Sequence, residues 1–401
     1  QDKESSDFAF GFYNTEQKKW QIFPEYNVNL SQNYVECETD HLTTVGFIEF
    51  VTSGGYSYKF VSDEVTVYYG SGDDAPMSYS EYQPSKQDWH LPTDDENWAP
   101  VYIQDIAHYV SEARDVFSES PYDLEVSEGN IKVYVKDLKG GDGEYGSISG
   151  ALYLKNKMTL PSGISGINYE DVLKATCAHE LLHLVQDNYY VMNKGKIGVW
   201  WLEATATQAD WMVWGNEMTY TESEIFSIES NATLLETLSK SWDDCNKDPN
   251  WYLSGCFLHY LTHYREGTKL NIAGAVKAGG SNSASLMRVI LNDLVNNELN
   301  TNLMDEYHNY VLYLFTEGNE KLSAFPHNKD FSKIETSEIA KPVKMSKKDN
   351  TQSVSVSLPY MSSKIISVSN MENSELRISY DIASLDDGLE AYLCEVDEQT
   401  G

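Results

Sequence analysis

Cysteine is scarce in this sequence, and basic residues are heavily outnumbered. Cys37, Cys177, Cys245, Cys256 and Cys394 are the five cysteines in 401 residues, and none stands in a Cys-x-x-Cys pair. An odd, scattered set of this kind excludes a disulfide scaffold and a cysteine clip for a metal. Cys245 and Cys256 are near enough in sequence for one bridge, and at least one thiol is left over. Long apolar runs are missing too. No stretch of 18 or more apolar residues occurs, so no segment reads as membrane-spanning. Lys and Arg total 29 against 62 Asp and Glu, a formal charge of −33. A surface this negative repels nucleic acid and anionic lipid. It serves solubility, and its acid clusters can also bind Ca²⁺, a hard cation that prefers oxygen ligands.

Hydrophobic residues make up 41% of the chain and aromatics 12%, with 28 tyrosines, which fits packed cores with β-rich parts. The length exceeds one ordinary core and spans two or three units of roughly 100–200 residues each. The opening QDKESSD is polar and fits a trimmed chain whose export signal has been removed.

Residues 1–75 read as a β-rich N-terminal region. Val45 to Val51 is a β-branched run, Ser53-Gly54-Gly55 a turn, Tyr56 to Val61 a return, and Val65 to Tyr69 a further strand. A polar loop covers roughly 71–98. Ile103, Ile106, Ala107, Val110, Ala113 and Phe117 recur at the spacing of one helix face. Ile131, Val133 and Val135 alternate with polar neighbours as a half-buried strand. Gly140 to Gly143 reads as a turn, with Glu144 a Ca²⁺ candidate beside it, leading to a second strand near Gly150 to Leu154. A helix is expected from about Tyr169 to Asp187, with Asn168 as N-cap and Asp171 completing a capping box. Helical stripes continue through Leu253 to Tyr264, Leu286 to Leu294 and Leu303 to Phe315. A Lys/Ser-rich stretch from about Ser332 to Ser353 reads as a linker. Alternation at Val354, Val356 and Leu358, and at Leu376, Ile378 and Tyr380, marks a small β-sandwich-like domain over 350–401. Its length is below the roughly 100 residues of a full sandwich, so a partial domain is expected.

The segment Cys177-Ala178-His179-Glu180-Leu181-Leu182-His183 carries the chemistry. It is an HExxH motif within a helical pattern. Residues four apart share one helix face, so both imidazoles can meet one cation. Zn²⁺ accepts such nitrogens, and a catalytic site adds a third protein ligand and leaves one position open. Glu180 is placed to take a proton from a metal-bound water without itself ligating. The third ligand candidate is Glu203, twenty positions after His183, in Trp200-Trp201-Leu202-Glu203-Ala204-Thr205-Ala206-Thr207.

HExxH followed by a glutamate at this distance resembles the thermolysin-like zinc peptidases, the gluzincins. The phrase Trp-Leu-Glu-Ala-Thr-Ala-Thr is similar to the glutamate-ligand segment of secreted bacterial metallopeptidases. The resemblance implies an α+β protein with a gluzincin catalytic domain over 76–335. It implies His179, His183 and Glu203 as zinc ligands and Glu180 as general base for hydrolysis of peptide bonds. It also implies protein or peptide substrates and a secreted or cell-surface location. Family members often carry an Asp four residues after the glutamate ligand, where this chain has Thr207. A partner for a ligand histidine is therefore expected from Asp187, Asp210 or a backbone carbonyl. In the family an edge strand binds extended substrate. That role falls to Gly150 to Leu154, with Ala151 and Tyr153 as contacts. A downstream Tyr or His stabilises the oxyanion, which nominates Tyr252 or His263.

His259 and His263 are also four apart, but no glutamate follows His259 as Glu180 follows His179. Cys177 reads as packing, and Trp200 and Trp201 as wall or core. Asn29-Leu30-Ser31 and Asn231-Ala232-Thr233 match glycosylation sequons that arise by chance. The alternative to a peptidase is an exported surface protein that binds glycan or protein through its β domains and carries a structural or inactive metal site. An intact Glu180 argues against it, because a structural metal needs no base. A metallohydrolase acting on a non-peptide bond is a third reading.

Overall fold

The computed structural model describes residues 8–14, 19–22, 26–29, 34–37, 45–50, 56–62, 64–85, 87, 90, 99–127, 129–160, 167–190, 199–215, 255, 257–278, 290–316, 339–344 and 365–369. The protein is mixed α and β. Its chain divides into two compact units.

The first unit is built on one sheet. Its strands come from β1 (Phe8–Asn14), β2 (Lys19–Ile22), β5 (Val45–Phe50), β6 (Tyr58–Ser62), β7 (Val65–Tyr69), β8 (Ile131–Lys136), β9 (Gly143–Gly146) and β10 (Ala151–Lys155). The spatial order is β2-β1-β5-β6-β7-β8-β10-β9, eight strands among the described residues. β3 (Tyr26–Asn29) and β4 (Tyr34–Cys37) form a separate antiparallel pair. β7 and β8 are parallel neighbours, as are β8 and β10, while β9 returns antiparallel to β10. The sheet thus runs on past residue 75, because Val65 to Tyr68 pair with Ile131 to Tyr134.

Alternation decides which face is covered. Val65, Val67, Ile131, Val133, Val135, Leu152 and Leu154 are buried. On the other face Tyr68, Tyr134 and Tyr153 lie in cross-strand register and stack, with ring centroids 4.8 and 5.4 Å apart. Lys136 Nζ sits 4.1 Å from the Tyr153 ring centre. Each such aromatic pair contributes roughly 0.5–1.5 kcal/mol beyond its buried area.

Short turns at Gly72–Asp74 and α1 (Tyr79–Tyr82) lie inside the stretch expected as loop. A capping box, Ser78 with Glu81, explains why α1 forms there. α2 (Val101–Ser118) matches its predicted stripe and packs on the sheet and on α3 (Tyr169–Tyr190). α3 starts as its sequence predicts. Asn168 Oδ1 accepts from the backbone N–H groups of Glu170 and Asp171, and Asp171 Oδ2 accepts from that of Asn168. Burial surrounds this helix: Val172, Leu173, Cys177, Ala178, Leu181, Leu182 and Val185 are at 0% exposure. A helix enclosed on so many sides is held by packing, and its polar side chains are fixed with it. Glu170 shows this, accepting from Tyr109 Oη at 2.9 Å and from the Ser85 N–H at 2.8 Å. α4 (Val199–Ala206) belongs to the second unit through Ala204, α5 (Ala209–Trp214) belongs to the first, and α6 (Ile272–Lys277) packs on α3.

The second unit holds the helical residues 257–264 and 290–299 and α7 (Leu303–Thr316). A regular helix is expected to run through Tyr264, but Tyr260–Tyr264 widens to a π-type turn, closed by the Arg265 N–H on the Tyr260 carbonyl. Arg265 then forks onto Glu306, with Nε and Nη2 each 2.8 Å from a carboxylate oxygen. Phe257, Tyr260, Tyr307 and Tyr310 form an aromatic cluster. β11 (Ile339–Lys344) lies within the segment read as linker and pairs in parallel with β12 (Ile365–Ser369). The later alternations at 354–358 and 376–380 lie outside the described residues. No described helix is long and apolar enough to cross a membrane.

Burial pushes His259 down to about 3 and His263 to about 2, the latter helped by the His259 and Lys269 charges. Both rings stay neutral when folded, whereas in the unfolded chain they take up protons below about pH 6.5. Stability is therefore lost as pH falls from about 6.5 toward 3. Two such rings lose about 3 kcal/mol between pH 6.5 and 5. Urea midpoints at the two pH values measure it, and His259→Gln is expected to halve the slope.

Candidate metal centre

His179 and His183 lie one turn apart on α3, both half-buried. Their Nε2 atoms approach to 3.0 Å with the rings nearly perpendicular, at 86°. Two nitrogens each 2.0–2.1 Å from a tetrahedral ion stand roughly 3.3 Å apart, so the pair converges at about the spacing an ion requires. A Glu203 carboxylate oxygen completes the group, and one donor atom from each of the three residues lies within 4.8 Å of the others. Among the described residues this is the one such gathering of His, Cys, Asp or Glu. Two imidazoles and a carboxylate, all partly open to solvent, suit a borderline cation such as Zn²⁺. The acids beside Gly140 to Gly143 do not form a comparable group, so geometry adds nothing to the Ca²⁺ expectation.

A partner for His183 that sequence reasoning missed is Gln186. Its Oε1 lies 2.8 Å from His183 Nδ1, and its Nε2 donates to Thr205 Oγ1 at 2.7 Å. With the amide N–H spent on Thr205, Oε1 must accept, so His183 carries its proton on Nδ1. That leaves Nε2 bare for a metal. Gln186 is 1% exposed and Thr205 0%, so this relay is shielded from competing water. Spacing gave a hint, since Gln186 is three residues beyond His183 and faces the same side. The expected outcome of Gln186→Ala is a roughly 10–100-fold loss of zinc affinity. Competition with a chromophoric chelator measures it. Asp187, one of the expected partners, accepts from the Tyr145 hydroxyl of β9 at 2.9 Å. Asp210 accepts from the Trp211 N–H at 2.9 Å.

Glu180 is buried to 6% exposure next to the two histidines. β9 lies over it. A Cβ added at Gly143 would stand 2.6 Å from Glu180 Cγ and Oε1 and 2.7 Å from Thr176 Cγ2. The structure thereby corrects two expectations. β10 is flanked by β8 and β9, so Ala151 and Tyr153 cannot pair with an added strand. The outermost strand on this side is β9, which starts at Gly143, the last residue of the stretch expected as a turn.

The remaining candidates divide. Tyr252, Cys245, Cys256 and Cys394 lie outside the described residues. His263 lies 4.4 Å from His259, ring centre to ring centre, and its carbonyl accepts from Lys269 Nζ. No third ligand joins this pair among the described residues. Cys177 is fully buried and burial raises its thiol well above the ordinary range, so it packs rather than reacts. Trp201 is at 0% exposure and belongs to the core. Compared with known proteins, the chain matches no family model, no curated protein and no solved structure.

Proposed function

We propose that this protein is a zinc peptidase of the gluzincin type, acting outside the cell on proteins or peptides. The observation that carries the reading is the convergence of His179, His183 and Glu203 donor atoms within 4.8 Å, beside a buried Glu180. The gathered group has three protein ligands among the described residues, the number that leaves a catalytic ion one open position. A zinc ion held there supplies Lewis acidity and brings the pKa of water toward ~7.

The chain's own residues do the rest. Glu180, one residue from a ligand, takes the proton of the attacking water and passes it to the leaving amine. Its burial excludes bulk water and strengthens its electrostatic hold on that proton. Gln186 fixes the His183 ring so that the same nitrogen always faces the ion. β9 offers an edge for an extended substrate backbone alongside Glu180, with hydrogen bonds that ignore side-chain identity. Oxyanion stabilisation is assigned on the family pattern to Tyr252 or His263.

Metal content and cleavage of a mixed peptide library, measured together, test the proposal. One zinc per chain with cleavage supports it. Zinc without cleavage of any peptide overturns it and favours a surface protein with a structural metal.

A further inference from the structure

Gly143 is not a glycine for the sake of its backbone. Its φ lies outside the left-handed region, where any residue is accommodated. What it lacks is space. The position of a Cβ is already filled by Glu180 Cγ and Oε1 at 2.6 Å and by Thr176 Cγ2 at 2.7 Å.

The strand cannot easily back away. Gly143 pairs with Leu154 of β10. Just before it, the Asp142 carbonyl accepts from the Lys155 N–H at 2.8 Å, and Asp142 Oδ1 accepts from the Thr159 N–H at 3.2 Å. Two residues on, the Tyr145 hydroxyl ties β9 to Asp187 of α3 at 2.9 Å. α3 is equally fixed by its buried neighbours. Between two anchored elements, the movable party is the Glu180 carboxylate itself, a side chain with three rotatable bonds.

Resting on the peptidase reading above, we propose that Gly143 is a positioning residue for the general base. By lacking a side chain it lets the β9 backbone lie against Glu180 and keeps the carboxylate where it meets the proton. This separates two costs. A methyl group at 143 must displace the Glu180 side chain and the Thr176 methyl, and the fold bears that cost. Proton transfer depends on sub-ångström placement, so turnover loses much.

The test is Gly143→Ala in the full chain. The expected result is a fall in kcat of about 100-fold or more, with KM changed far less. Zinc stoichiometry and chelator-competition affinity stay within about threefold of wild type, since no ligand is touched. A near wild-type kcat for Gly143→Ala overturns the proposal. Melting temperature gives an arm that needs no activity. Gly143→Ala is expected to lower it more with Glu180 present than in Glu180→Ala, where the methyl meets no carboxylate. A wild type that binds zinc and cuts nothing sinks the peptidase reading. The thermal arm then still decides whether Gly143 sets the place of Glu180, and equal shifts in both backgrounds refute that.

Discussion

Glu180→Gln is expected to cut peptide hydrolysis by 10²–10⁴-fold while leaving one zinc bound per chain, the range general-base removal produces. The amide has the size and shape of the carboxylate, so the close approach of the Gly143 backbone is kept. It cannot take a proton from water at neutral pH. Because Glu180 is 6% exposed, solvent has little room to bring in a substitute base. The comparison is of kcat at saturating peptide, with metal measured on the same samples. An undiminished rate in Glu180→Gln removes the general-base assignment outright. Loss of zinc along with the rate instead makes Glu180 a ligand.

The second large effect is on the metal. His183→Ala leaves one imidazole and one carboxylate and takes from Gln186 Oε1 the N–H it accepts from. Zinc is expected to leave this variant on dialysis, and hydrolysis to disappear with it. Stability gives the independent check. An ion that binds only the folded chain adds about 4 kcal/mol at a free concentration a thousand times its Kd. Added zinc should therefore raise the melting temperature of the stripped wild type by several degrees and leave His183→Ala unmoved. Glu203→Gln keeps an oxygen donor but loses its charge, so it should fall between the two. A wild type whose melting temperature ignores zinc is incompatible with the three-residue site.

These experiments address residues that a linear reading already singles out, and the reason is local geometry. His179, Glu180 and His183 need only one helix to be brought together, and four-residue spacing does that wherever the helix forms. The helix is announced by its own capping box at Asn168 and Asp171, confirmed atom for atom. α2, β7 and β8 were legible for the same cause, because their burial period of 3.6 or 2 is written in consecutive residues. Glu203 was legible only through a family spacing, and its convergence on the histidines is a tertiary fact.

What sequence left undecided involves partners far apart in the chain. Gln186 and Thr205 sit on different helices, and polar residues there give no hint of each other. The segment Gly143–Gly146 has the composition of a turn. It becomes a strand because Leu154 to Ala151 offer it hydrogen bonds, and tertiary pairing overrides a weak local preference. The linker expected near residue 340 becomes β11 for the same reason, through β12. The sequence by itself determined the helix of the candidate site, its two imidazoles and the carboxylate between them, since one turn of helix supplies all of that geometry. Only the tertiary structure decided that β9, not β10, is the sheet's outer strand, and that a glycine there makes way for Glu180. Strand order and close approach depend on contacts that no local period encodes.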